Sequence, residues 1–115
     1  SLSTGRLLSW EALNLPNRGL IDGLPHSAIV EVPGTVSRGG ITGQAVGELP
    51  RGITELLHRE LSASQLCIDA VVHGDKELAL QSLLLDPVVD DISSARLILA
   101  DILETNKAWL PQFFD

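Results

Sequence analysis

Residues 14 to 33 read NLPNRGLIDGLPHSAIVEVP, and the two halves of this stretch have opposite physical habits. The first half sets Pro16, Gly19, Gly23 and Pro25 among polar residues. Such a composition bends a chain, because Pro presets φ and Gly tolerates positive φ. The second half alternates: Ala28, Val30 and Val32 share one face, Ile29 and Glu31 the other. That is the pattern of a half-buried strand carrying a glutamate. Pro33 is expected to stop it, since Pro has no N–H to give to a ladder.

Upstream of this stretch, Leu7 to Leu13 suits either a strand or a helical turn, and periodicity does not decide. Downstream, Thr35 to Ser37 and Ile41 to Val46 flank Arg38-Gly39-Gly40, whose glycine pair offers the positive φ of a tight hairpin. Beyond Pro50 glycine nearly vanishes and apolar residues recur at helical spacing. Ile53, Leu56, Leu57, Leu61, Leu66, Cys67, Ala70 and Val71 mark one apolar stripe. Ser62 and Gln65 have capping-box spacing, so the stripe is two helices or one kinked helix. Gly74 suits a helix C-cap and Asp75 the next N-cap, with Pro87 ending that helix near Asp86. Asp91 or Ser93 then caps a third helix with the stripe Ile92, Ala95, Leu99, Ile102, Leu103 and Asn106. Leu110 to Phe114 forms an apolar tail that should dock. Ser1 to Gly5 reads as a frayed end or a cloning scar.

These readings predict an α+β chain: residues 1–50 a loop-rich β segment, residues 51–115 a helical segment. A chain of 115 residues makes one domain or a piece of one. Its formal net charge of -7, from 8 basic and 15 acidic residues, repels phosphate backbones and argues against nucleic-acid binding. No apolar run approaches the roughly 20 residues of a membrane span. The single Cys67 cannot close an internal disulfide, which fits a reducing cytoplasm.

Several residues invite chemistry. His26, His58 and His73 have no helical ligand spacing and no HExxH or CxxC context, so a structural role is the ordinary reading. Cys67 lies in an apolar stripe, where a free Cys is usually a small buried hydrophobe. Asp86, Asp90 and Asp91 surround a Pro as a loop and a cap require. Glu31 could pair with Arg18 or Arg38, or stand near a site. The glycines do not follow a strand and open a helix, so there is no phosphate cradle. Asn14, Asn17 and Arg18 are the most suggestive cluster. Asn reads sugar hydroxyls as donor and acceptor, and Arg clamps carboxylates or phosphates, but the same residues also build Pro-containing turns.

Asn14-Leu-Pro-Asn17-Arg-Gly19, Leu24-Pro25, Val30-Glu-Val-Pro33 and Gly47-Glu-Leu-Pro50 stand in a fixed order. Ala70, Gly74-Asp75, Ala79-Leu-Gln-Ser-Leu-Leu-Leu-Asp-Pro87 and Asn106-Lys-Ala-Trp-Leu-Pro111 follow them. This series resembles the C-terminal part of the NAD- and manganese-dependent glycosidases of glycoside hydrolase family 4. The Asp86-Pro87 ending and the Leu-Pro tail look more like the α-glucosidase, α-galactosidase and α-galacturonidase members than the 6-phospho-glucosidases. Gly40-Ile41-Thr42-Gly43 departs from the pattern, because relatives often carry His or Pro after the Gly-Ile.

The resemblance implies part of a lactate-dehydrogenase-like C-terminal domain that borders a substrate cleft, helps subunits associate and partners an upstream NAD-binding domain. It also implies an unusual hydrolysis, outside the two-carboxylate scheme. NAD oxidises the sugar at C3, a divalent metal polarises the ketone, a Tyr base removes the C2 proton, and the glycosidic bond breaks by elimination. The catalytic, cofactor-binding and metal-binding residues lie upstream in such enzymes, and this chain has no Tyr. The chain alone is therefore expected to be inactive, to bind neither NAD nor Mn2+, and to expose apolar surface. The tail and one helix stripe should bury against a second copy. A free-standing oligomerisation or binding module derived from the same domain is the alternative. Asn14, Asn17 and Arg18 are the substrate-proximal candidates.

Overall fold

The computed structural model describes residues 7–114, so the expected frayed end at Ser1 to Gly5 lies outside the described residues. The chain is α+β, with a three-stranded antiparallel sheet and three α-helices. The strands are β1 (Leu8–Pro16), β2 (Ile29–Ser37) and β3 (Gly40–Gly43). The helices are α1 (Arg51–His73), α2 (Lys76–Leu84) and α3 (Ile92–Thr105), followed by a 3₁₀ turn at Pro111–Phe113. Two compact units divide at Glu55/Leu56, inside α1.

In the first unit the sheet order is β1-β2-β3, which makes β2 the central strand. The predicted alternation holds: Val30 and Val32 are buried while Ile29 is 59% exposed. Pro33 does not stop the strand. β2 continues through Pro33 and Gly34 to Ser37, pairing with β1 from Pro16↔Ile29 to Leu8↔Val36. A central strand tolerates this Pro because of what happens on its β3 side. The Pro33 carbonyl accepts from the Gln44 N–H (2.7 Å), but Pro33 has no N–H to return. The β2–β3 ladder therefore ends at Gly34↔Gly43, and β3 is shorter than the expected Ile41 to Val46. Across β1 the register shifts between Trp10 and Leu13, so Glu11 and Ala12 together oppose Pro33 in a bulge.

Two glycines seat the sheet against its neighbours. A Cβ on Gly34 would stand 2.5 Å from the Thr42 carbonyl oxygen and 2.8 Å from Leu13 Cδ1. One on Gly43 would meet Leu20 Cδ1 at 2.8 Å and Leu15 Cδ1 at 2.9 Å. In the hairpin only Gly40 takes a positive φ (123°), so the expected glycine pair reduces to one. Ser37 Oγ accepts from the Gly39 N–H (3.1 Å) and stiffens the turn.

The second unit follows its predicted punctuation. α1 is a single helix, and the capping-box spacing at Ser62 and Gln65 goes unused because the helix runs through it. It ends at Gly74 (φ 67°), where the Asp75 N–H donates to the Ala70 carbonyl (3.0 Å) in the Schellman manner. Asp75 then caps α2 through Glu77 N (2.9 Å) and Leu78 N (3.1 Å). Of the two candidates, Asp91 caps α3, accepting from Ser94 N (2.7 Å). Backbone and hydroxyl donors from Ser94, then the Ser93 backbone, hold its carboxyl below the usual range. Ala70, Leu103 and Phe113 form the core, with Leu78, Ala79, Leu99 and Leu110 packed around them.

One expectation needs correction. The tail is docked within its own unit rather than kept for a second copy: Phe113 is buried there and Gln112 Nε2 donates to the Val71 carbonyl (3.0 Å). The α1 stripe is mostly unburied, in line with the expected exposed apolar surface: Ile53, Leu56 and Val71 are exposed, and only Ala70 is fully covered.

Replacing Gly34 by Ala forces a Cβ against backbone, and is expected to cost roughly 1–3 kcal/mol, as overpacking does. Urea unfolding of Gly34→Ala measures it, and an unchanged midpoint would contradict the close approach.

Candidate functional site

The turn that follows β1 is built around one side chain. Asn17 is the one buried polar residue among the described residues, with 0% exposure. Its Nδ2 donates to the carbonyls of Ile21 (3.0 Å), Leu24 (3.0 Å) and Pro25 (3.3 Å). Its Oδ1 accepts from the Ile21 N–H (2.7 Å). A buried amide must be paired in this way, because an unmet donor or acceptor keeps its full desolvation cost. The backbone closes the same loop: Asn17 N donates to the Ala28 carbonyl (2.7 Å) and Arg18 N to that of His26 (3.1 Å).

Leu20 N donates back to the Asn17 carbonyl (2.7 Å), and both residues between them have positive φ, Arg18 at 43° and Gly19 at 91°. That is a type I′ turn. Gly19 occupies its position without strain, whereas Arg18 is the only non-glycine residue with positive φ among those described. The turn leaves Arg18 exposed at the end of the sheet. Asn14 is exposed on β1, directly opposite Glu31 of β2.

The three candidate residues thus have different physical situations. Asn14 and Arg18 present their side chains to solvent, while the Asn17 amide is committed to four backbone groups. From the sequence, the turn and sugar readings of Asn17 looked alike, since both ask for an amide near Pro and Gly. Burial separates them.

The other candidates fall to structural roles or stand apart. Asp86 Oδ1 accepts from Val88 N (2.9 Å) across Pro87, closing a turn. His73 Nδ1 lies 2.8 Å from the Asp69 carbonyl on α1, and His26 is exposed in the loop. Cys67 is exposed rather than buried, because the α1 face that carries it is largely uncovered. Among the described residues no three His, Cys, Asp or Glu side chains gather closely enough to hold a metal ion. No helix among them is long and apolar enough to cross a membrane.

Asn17→Ala leaves three carbonyls and one N–H without their buried partner, and an unmet buried group costs roughly 1–3 kcal/mol. The expected loss is about 2 kcal/mol or more by urea unfolding. A loss within experimental error would show that the loop does not depend on this amide.

Residues 9–89 match the family model described as Family 4 glycosyl hydrolase C-terminal domain. The chain is 34% identical over 105 residues to a probable 6-phospho-beta-glucosidase of Bacillus subtilis, covering 91% of this chain and 24% of that protein. It is 33% identical over 99 residues to an alpha-glucosidase of Erwinia rhapontici, covering 86% and 22%. Similarity to a phospho-sugar enzyme and to an alpha-glucosidase is therefore nearly equal, and does not favour the non-phosphorylated group. The fold superposes on the 6-phospho-beta-glucosidase of Thermotoga maritima, solved with manganese, NAD+ and glucose-6-phosphate. That match has a TM-score of 0.83 at 28% identity, over 95% of this chain and 28% of that one. The chain spans about a quarter of the length of the relatives it matches. With most of its length inside the family match, the chain belongs to the family 4 glycosyl hydrolases and is built as their C-terminal domain.

Proposed function

We propose that this chain acts as the C-terminal domain of a cytoplasmic, NAD- and Mn2+-dependent glycosidase that hydrolyses O-glycosidic bonds by redox-assisted elimination. The family match over residues 9–89 carries this reading. The Thermotoga maritima enzyme, solved with manganese, NAD+ and glucose-6-phosphate, supports it for the parent protein. Bound in the parent, NAD supplies hydride transfer and the metal polarises a sugar oxygen.

The residues described here do not fit a site for either group. Three antiparallel strands offer no strand–glycine turn–helix unit for a dinucleotide, and no metal-ligating group assembles among the described residues. Both are assigned to an upstream NAD-binding domain of the same parent chain. The part left to this domain is binding and orientation. Arg18, exposed on a turn fixed by Asn17, and Asn14 on β1 are the groups assigned to the border of the carbohydrate site. Asn17 acts there through the turn it holds.

On its own the chain is inactive. Supplied with NAD, Mn(II), a thiol reductant and aryl α-glucosides or α-galactosides, the purified chain is expected to release no aryl alcohol. Saturable turnover would overturn this, whereas the full-length parent should turn over and stop when the metal is chelated.

The exposed apolar residues of the helices support a homo-oligomer. Ile98 and Ile102, four residues apart and so neighbours on one face of α3, are both exposed, and adjoining exposed apolar side chains of this kind suit an interaction surface. The parent is expected to elute and scatter light as a dimer or larger assembly, and a strict monomer at high concentration would refute the assembly.

A further inference from the structure

We draw no further inference here: the strongest candidate, the bare apolar face of α1 around Ile68, Val71 and Val72, is an unpartnered surface, and nothing in the structure shows what covers it.

Discussion

The first unit depends on one buried amide. The loop from Asn17 to Ala28 folds back on itself, and the backbone groups it turns inward, around buried Ile21 and Leu24, need partners from within the loop. Asn17 does this from the inside, taking the carbonyls of Ile21, Leu24 and Pro25 and the N–H of Ile21 on a single planar group. The loop is thereby held in one conformation, and that conformation buries Ile21 and Leu24, each with 7% exposure. The local cost is visible at Arg18, whose positive φ an Asn or Gly would adopt more readily. An amide without these partners would be the most expensive group in the unit. With them, it orders the segment on which the candidate substrate contacts stand.

A second constraint is the approach of backbones around Gly34 and Gly43. These two face each other across β2 and β3, and Leu13, Leu15 and Leu20 lie where their Cβ atoms would be. Leu20 belongs to the Asn17 loop, so the loop and the hairpin are coupled through a glycine. Pro33 adds the third condition by ending the β3 ladder on one side while β1 bulges on the other. One strand residue thus limits the length of β3. The polar row of Ser9, Thr35 and Thr42 is the outer face of the same sheet whose inner face carries Val30 and Val32.

The second unit is held by terminal chemistry as much as by core volume. Its helices are separated by a Schellman turn at Gly74, an Asp75 cap and an Asp91 cap. Gly74 is required twice, for its φ of 67° and because a Cβ there would run into the Gln112 carbonyl. The tail is thus built into the unit at its helix junction. Phe114 continues the attachment, with the Lys76 and Lys107 ammonium groups 5.1 and 4.7 Å from its ring centre.

The residues by themselves determined what local physics can specify. Strand alternation at 29–32, the C-cap at Gly74 and the Asp75 N-cap depend on near neighbours in the chain and were legible there, while the α3 cap was narrowed only to Asp91 or Ser93 and the capping-box spacing at Ser62 misled. The series of Pro, Gly and Asn motifs also identified the family, because its order and spacing survive without knowledge of contacts. Tertiary structure decided the remainder. Whether Pro33 ends a strand depends on which ladder side its missing N–H faces. Whether Asn17 meets a sugar or a backbone depends on burial. How much of the α1 stripe is covered depends on which segments pack against it. Each is a relation between segments distant in sequence, and periodicity carries no information about it.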